Sequence, residues 1–284
     1  MGPKMNQTTN PLKHYFRQPV VYLRLPSDGQ FWPMGSLDMP PNRELPVLPM
    51  TAMDEISYRT PDALFNGTAV VDVIQSCVPN IKNAWKVPSM DLNAILVAIR
   101  IASYGDTLEL QTQCPKCNEI SDFGMDLNAV QSSIPQPNYS ASVAAGDLEV
   151  YFKPIDYEQQ NTINALQFEQ QKVIQMLPTS ELPEEEKVKR INDALTALTQ
   201  LTVQVMKNSI AAIKTPEAVV SESEFIDEFL LNCDRRLFNS IRDKAIELRE
   251  SSEIPPMKAQ CPHCQHDYEQ PISLDSTNFF GLAS

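Results

Sequence analysis

Two C-P-x-C motifs occupy residues 114–117 and 261–264. Each motif presents two thiolates from one tight turn, and four thiolates complete a tetrahedral zinc site that leaves no position for a substrate. Thiolates are soft ligands, which favour Zn²⁺ or an iron–sulfur centre over hard cations. The motifs therefore predict one structural zinc ion (Zn2+) with four protein ligands: Cys114, Cys117, Cys261 and Cys264.

Residues 118–260 separate the two motifs, an unusually long interval for ligands of one ion. Closing a loop of this length costs roughly 4 kcal/mol of chain entropy. Structural zinc binding contributes about 10–16 kcal/mol at neutral pH, so the long interval does not prevent a shared site. The alternative is two half-sites, the second of them completed by His266 or by another protomer.

Redox chemistry is the main competing interpretation, because C-P-H-C also occurs in thioredoxin-fold oxidants at the start of a helix that lowers the first cysteine's pKa. Here the motif leads instead into a short strand pattern that ends at Pro271, and no β-α-β unit surrounds it. The sequence also lacks G-x-S-x-G, a glycine-rich phosphate loop and H-E-x-x-H. We therefore expect no catalytic residues and a protein that is not an enzyme.

The residues around both motifs alternate in the manner of strands. Residues 107–112 lead into the first motif and 120–125 lead out of it, while 257–260 and 268–274 flank the second. Strand, C-P-x-C, strand is the pattern of a zinc-ribbon hairpin. The predicted fold class is α+β: a helical body with a split zinc-ribbon and an inserted helical-hairpin region.

Helical patterns fill most of the remaining chain. Asp91 stands where it would cap a helix that is apolar around much of its circumference and hence central. Asp156 with Gln159, and later Ser221 with Glu224, have the spacing of capping boxes. A loop at 178–183 between two amphipathic patterns predicts an αα-hairpin.

These patterns divide the chain into four expected segments. Residues 1–50 hold nine of the 23 prolines and form an extended N-terminal arm, and 51–154 form a helical body with the first zinc knuckle. An inserted α-helical region follows at 155–252. The second zinc knuckle and a C-terminal tail occupy 253–284.

Five aromatic residues lie in the arm: Tyr15, Phe16, Tyr22, Phe31 and Trp32. The arm has too few strands to bury them, so they must pack on the body or on another chain. Exposed aromatic residues at this density usually mark an interface. We therefore expect residues 1–45 to dock on another protein rather than to fold alone.

Two single cysteines and one pair of adjacent phenylalanines lie outside these patterns. Cys77 and Cys233 are single cysteines in apolar helical patterns, and we expect both to be buried small hydrophobic residues. Phe279 and Phe280 are adjacent near the end of the sequence. We expect them to pack in the body or in a neighbouring subunit, with the body favoured in a monomer.

The charge of the chain limits its partners. The net charge is −13, which disfavours nucleic acid and anionic membrane surfaces. No run of 18 apolar residues is present, so no segment is expected to span a bilayer. Residues 1–50 carry five Lys/Arg and three Asp/Glu, a net +2 that leaves −15 for the rest, so the arm suits an acidic partner.

Four segments stand out between residues 50 and 105: MTAMDE at 50–55, TPDALFNG at 60–67, SCVPNI at 76–81 and AIRIASYG at 98–105. These segments resemble the baseplate hub proteins of T-even-type contractile-tailed bacteriophages. The two C-P-x-C motifs and the final PIS…NFF, residues 271–280, continue the likeness. It covers about residues 45–125 and 255–281, and the helical insertion only in outline.

The resemblance implies a non-enzymatic structural or assembly component of the phage tail baseplate hub. Such a protein is assembled in the host cytoplasm, is found in the virion at the tail baseplate, and has other hub and tail proteins as partners. It has no small-molecule substrate. Two alternatives remain: an assembly chaperone that is absent from the mature particle, and a zinc-ribbon module associated with nucleic acid or transcription.

Overall fold

Helices alternate with short antiparallel strands, so the α+β class predicted from the sequence is confirmed. The computed structural model describes residues 10–59, 66–177, 180 and 182–272. The helices are α1 (Ala52–Tyr58), α2 (Thr68–Cys77), α3 (Ser89–Tyr104), α4 (Leu127–Ser133), α5 (Tyr157–Met176), α6 (Glu184–Ser209), α7 (Ser223–Asn232) and α8 (Arg235–Glu250). The strands are β1 (Val21–Leu23), β2 (Leu45–Val47), β3 (Thr107–Gln113), β4 (Ile120–Asp126), β5 (Val143–Ala145), β6 (Leu148–Phe152), β7 (Ile210–Lys214), β8 (Val219–Val220), β9 (Met257–Gln260) and β10 (Asp267–Gln270).

Helix α3 is the centre of the larger hydrophobic core. Residues 94–99 of this helix are all buried, which requires other elements to surround it. Helix α2 packs against it with Val70, Val73 and Ile74, and the strand pair β1–β2 packs on a further side. The apolar pattern after Asp91 thus correctly predicted a central helix.

The stretch from β1 to β2 is part of this core. Leu23, Leu25, Leu45 and Val47 each expose 3% of their surface or less, and the two strands pair antiparallel. The expectation that residues 1–45 dock on another protein instead of folding with the body is therefore wrong for this stretch. Its prolines remove backbone donors but leave the leucine and valine side chains free to pack.

Asp91 does not cap α3 as predicted. The carboxylate is fully buried and accepts hydrogen bonds from the backbone N–H and the hydroxyl of Ser27 and from Trp32 Nε1, the last at 2.8 Å. Burial raises the pKa of Asp91 to about 6, although these hydrogen bonds act in the opposite direction. The residue instead fixes the turn at residues 27–32 to the central helix.

Arg17 holds the chain ahead of β1 against the body. Its guanidinium donates to Pro49 O at 2.8 Å, to Ser76 O at 2.9 Å and to the Asp54 carboxylate at 3.3 Å. On either side of it, Tyr15, Phe16 and Tyr22 expose 84%, 54% and 62% of their surfaces. These three aromatic residues therefore face solvent from a segment whose position is fixed.

A second core lies on the antiparallel sheet β5-β6-β7-β8. Helices α6, α7 and α8 contribute to it, and Phe152, Ile210, Ile226 and Ile241 are among its buried residues. Helices α5 and α6 pack side by side as the predicted αα-hairpin. Part of the loop predicted at 178–183 lies outside the described residues.

The two predicted capping boxes have different outcomes. Asp156 accepts from Gln159 N at 2.9 Å while the Gln159 side chain accepts from Asp156 N, so the first is confirmed. The second is wrong, because α7 begins at Ser223 and its N-cap, Glu222, makes no side-chain cap bond. In the described ranges, no helix is both long and apolar enough to cross a membrane.

Replacing the buried carboxylate tests the role of Asp91. We expect Asp91→Ala to lower the free energy of unfolding by about 3 kcal/mol, because the donors of buried Ser27 and partly buried Trp32 lose their acceptor. The shift of the urea midpoint, followed by circular dichroism, measures this loss. The control is Asp38→Ala at a carboxylate 65% exposed and paired with Lys82, where we expect a change below about 0.5 kcal/mol. Equal effects at the two positions would contradict this role.

Two truncations separate the buried stretch from the segment ahead of it. A chain lacking residues 2–45 loses Leu23, Leu25 and Leu45, each contributing about 2 kcal/mol on burial, and should fail to fold. A chain lacking residues 2–16 keeps Arg17 and the whole core, and should melt cooperatively like the full chain. Cooperative thermal unfolding of the longer deletion would show that β1 is dispensable.

Candidate metal centre

The first C-P-x-C motif forms the tip of a β-hairpin. Strands β3 and β4 pair antiparallel from Thr107 opposite Asp126 to Gln113 opposite Ile120. Beyond the last pair, Cys114 N donates to Glu119 O and Asn118 N donates to Cys114 O. Asn118 has a φ of 60°, the left-handed conformation that asparagine tolerates better than most residues and that closes the turn.

The second motif repeats this turn. Strands β9 and β10 pair with Asp267 opposite Gln260, Cys261 N donates to His266 O, and Gln265 N donates to Cys261 O. Gln265 has a φ of 58° and occupies the position of Asn118 in the first turn. In both turns these backbone hydrogen bonds involve only main-chain atoms. The cysteine sulfurs therefore extend beyond the strand ladder, toward a common centre.

The structure brings together all four cysteines that the sequence analysis selected. Their sulfur atoms lie within 4.8 Å of one another, with Cys114 Sγ 3.7 Å from Cys264 Sγ and Cys117 Sγ 3.6 Å from Cys261 Sγ. Four sulfurs placed tetrahedrally about 2.3 Å from a zinc ion would be about 3.8 Å apart. The donor set and its spacing therefore fit a tetrahedral metal ion.

The burial of the cluster is uneven. Cys114 and Cys261 expose 1% of their surfaces, whereas Cys117 and Cys264 are partly exposed. Among the described residues the cluster contains no histidine nitrogen, so His266 is not one of its members. The first cysteine of each motif thus faces the interior and the second faces the surface.

The two thiols of the first motif, Cys114 and Cys117, have pKa values shifted in opposite directions. Burial raises the pKa of Cys114, but backbone N–H groups of Cys117 and Lys116 and the thiols of Cys117 and Cys264 stabilise its thiolate and lower the pKa to about 6. The backbone N–H of Glu119 lowers the pKa of Cys117, yet burial and the three neighbouring sulfurs raise it to about 12. One thiolate therefore forms readily and the next does not, because adjacent thiolates repel. A cation between the sulfurs would remove that repulsion.

A second contact joins the hairpins. Thr112 Oγ1 and Tyr268 OH lie 2.7 Å apart, and Thr112 is buried. In the described part of the chain β3–β4 and β9–β10 are separate two-stranded sheets with no ladder between them. This contact was not predicted, because strand patterns give the register within a hairpin but not the residues that face each other across two hairpins.

The remaining cysteines lie elsewhere. Cys77 is fully buried in α2, as predicted, and burial raises its pKa to about 12. Cys233 follows α7 and is partly exposed, so the expectation of a buried residue is wrong there. Neither thiol belongs to the four-sulfur cluster.

A family model described as "T4 bacteriophage base plate protein" matches residues 49–281. The match includes both C-P-x-C motifs and the whole region between them, and it begins just after β2. It confirms the resemblance to T4-type phage baseplate proteins. Comparisons with the curated proteins and with the solved structures gave no match.

Proposed function

The chain belongs to the T4 bacteriophage base plate protein family, and from this premise we propose that it is a non-enzymatic scaffold of the baseplate hub. In this proposal one zinc ion cross-links the two cysteine hairpins, a cross-link that we call the zinc staple. The family match over residues 49–281 is the observation that carries the proposal. Baseplate proteins are structural parts of the phage tail, which supports a location in the virion tail. Other hub and tail proteins are its partners.

The zinc staple rests on the chemistry of the four sulfurs. Four thiolates with spacings of 3.6 and 3.7 Å suit a tetrahedral Zn²⁺ site with Cys114, Cys117, Cys261 and Cys264 as its ligands. Bound there, the ion supplies a cross-link between two hairpins that otherwise share the Thr112–Tyr268 contact. The two hairpins then form one split zinc-ribbon.

The staple supports the division of the chain into four segments: the arm at 1–50, the body at 51–154, the inserted helical region at 155–252, and the second knuckle with the tail at 253–284. The first knuckle lies within the body and the second follows the inserted region. Joining them links the chain on the two sides of that region. In this proposal the arm is defined by sequence alone, and its residues 21–47 pack into the hydrophobic core of the body.

Exposed aromatic residues support docking on other proteins. Tyr15, Phe16 and Tyr22 face solvent while Arg17 fixes the backbone between them, so little ordering entropy opposes binding. Lys13 and Arg24 lie in the same segment, which has no acidic residue before Asp28. We propose that this basic, aromatic segment contacts an acidic baseplate protein.

The charge of the hairpins does not favour the nucleic-acid alternative. Strands β3 and β4 with their turn carry Glu109, Glu119, Asp122 and Asp126 against one lysine, Lys116. Phosphate contacts need clustered Lys and Arg. The assembly-chaperone alternative differs from the structural role only in whether the protein stays in the mature particle.

Metal analysis tests the staple. We expect one zinc ion per chain by elemental analysis of the purified protein, and loss of that ion with a lower melting temperature in Cys261→Ser. Cys233→Ser is the matched control, because this partly exposed thiol lies outside the cluster and its loss should change neither quantity. Purified protein without zinc or iron, or a Cys261→Ser variant that keeps its metal and its stability, would refute the staple.

A thiol–disulfide exchange assay tests the absence of redox activity. We expect the zinc-loaded protein to reduce no disulfide substrate above background, because metal-bound thiolates are occupied as ligands. The assay should be repeated with Cys261→Ser. Exchange that disappears in this variant would reassign the second motif as a catalytic pair.

Particle composition tests the structural role. We expect quantitative mass spectrometry of purified phage particles to detect this chain at a fixed copy number relative to other baseplate proteins. Particles that lack the chain, together with failure of hub assembly in its absence, would instead identify an assembly chaperone.

A further inference from the structure

A cleft with a volume of about 410 Å³ lies over α6, with α5 and α8 as its walls. Helix α6 packs against both of these helices, and its Leu201 and Met206 line the floor of the cleft together with Phe152 at the end of β6. All three floor residues are buried. Pockets that bind ligands have volumes of roughly 300–1,000 Å³ and mainly apolar linings. The cleft therefore has the size and the floor of a binding site.

The rim of the cleft is polar and open to solvent. Gln167, Thr202 and Arg249, from α5, α6 and α8, line the cleft and are exposed. A buried apolar floor inside a polar rim is the arrangement of many protein–protein interfaces, in which an apolar anchor enters the centre and polar groups pair around it. Neither the zinc staple nor the exposed aromatic segment contributes to this lining.

The charge of the cleft is opposite to that of the chain. Lys153, Arg242 and Arg249 line it, and its described lining contains no aspartate or glutamate, although the chain carries 36 acidic against 23 basic residues. Arg242 pairs with its neighbour Asp243. Lys153 and Arg249 form no ion pair with any residue that the structure describes, which leaves two cations for a ligand. The complementary ligand combines an apolar group with a nearby carboxylate.

A row of carboxamides favours a peptide over a small molecule as this ligand. Ile163, Gln167 and Gln171 follow one another at intervals of four residues on α5, and all three line the cleft. Residues four apart on a helix are separated by about 6 Å along its axis, close to the roughly 6.7 Å between alternate residues of an extended chain. Within the described ranges neither glutamine side chain forms a hydrogen bond. The two carboxamides can therefore bind the backbone groups of alternate residues in an extended peptide.

We propose that this cleft binds an extended, acidic segment of a partner protein. An aromatic or aliphatic side chain of the segment lies on the buried floor, and an aspartate or glutamate near it pairs with Lys153 or Arg249. Gln167 and Gln171 bind the backbone of the segment. This binding is independent of the metal and of the exposed aromatic residues before β1.

Selection from a library of displayed random peptides tests the proposal on the full-length protein. Peptides that also bind the Thr202→Trp variant are removed, because a tryptophan at this exposed rim position obstructs the cleft. We expect the remaining peptides to place aspartate or glutamate close to an aromatic residue or a leucine. Enrichment of no such peptide would overturn the proposal, and this is also the result expected if another part of the chain fills the cleft.

One enriched peptide, labelled with fluorescein, then serves as the probe in fluorescence anisotropy. The double variant Lys153→Glu/Arg249→Glu should weaken its binding about tenfold, because two ion pairs become repulsive. Replacing the acidic residues of the peptide by lysine should restore binding to this variant. The double variant Gln167→Ala/Gln171→Ala should weaken binding of the original peptide about fivefold, because hydrogen bonds to its backbone are lost.

The matched control is Arg235→Glu, because Arg235 is an exposed cation of α8 that does not line the cleft. It should leave the affinity unchanged, and circular dichroism should be the same for every variant. Lys153→Gln and Arg249→Gln replace the glutamate variant if its spectrum changes. Equal weakening by Arg235→Glu would refute the proposal, as would peptide binding that both double variants leave intact. Binding of sodium decanoate, an apolar carboxylate without a peptide backbone, in the absence of peptide binding would identify a small-molecule site instead.

Discussion

The convergence of four cysteine sulfurs ties residue 114 to residue 264, and the arrangement of the other elements depends on that closure. Each hairpin is a two-stranded sheet, which is marginally stable alone. The sulfurs lie 3.6 and 3.7 Å apart in two cross-hairpin pairs; hydrogen bonds lower the pKa of Cys114 to about 6, whereas burial and the neighbouring sulfurs raise that of Cys117 to about 12. The closure thus couples the folding of the two hairpins to the state of the thiols.

The helices and strands form two main cores that are built differently. The first surrounds α3, which is apolar on every side and therefore needs β1, β2 and α2 to cover it. The second lies on a four-stranded sheet that α6, α7 and α8 cover. Asp91 connects the first core to the turn at residues 27–32, and its isolation from water explains why one carboxylate fixes a segment that has little regular structure of its own.

The proposed docking surface lies outside these cores. The aromatic residues around Arg17 are held in place but remain exposed, a combination that suits docking without prior ordering. A scaffold protein acts through the surfaces that it presents to its partners, and the packed cores hold those surfaces in position.

Local sequence determined the features that depend on near neighbours. The C-P-x-C spacing specified the two turns, the period of the apolar residues specified α3, and Asp156 with Gln159 specified the start of α5. The four metal-site candidates were likewise predictable, since soft ligands in duplicate turns have few other uses.

Tertiary structure alone decided what faces what across long sequence intervals. The many prolines near Leu23 and Leu45 predicted an extended arm, because proline removes backbone donors. Burial of both leucines against α3 outweighs that loss. Asp91 has the spacing of a cap, but donors from Ser27 and Trp32, more than fifty residues away, occupy its oxygens. Thr112 meets Tyr268 for the same reason: side-chain period fixes a face, and only packing fixes the partner on that face.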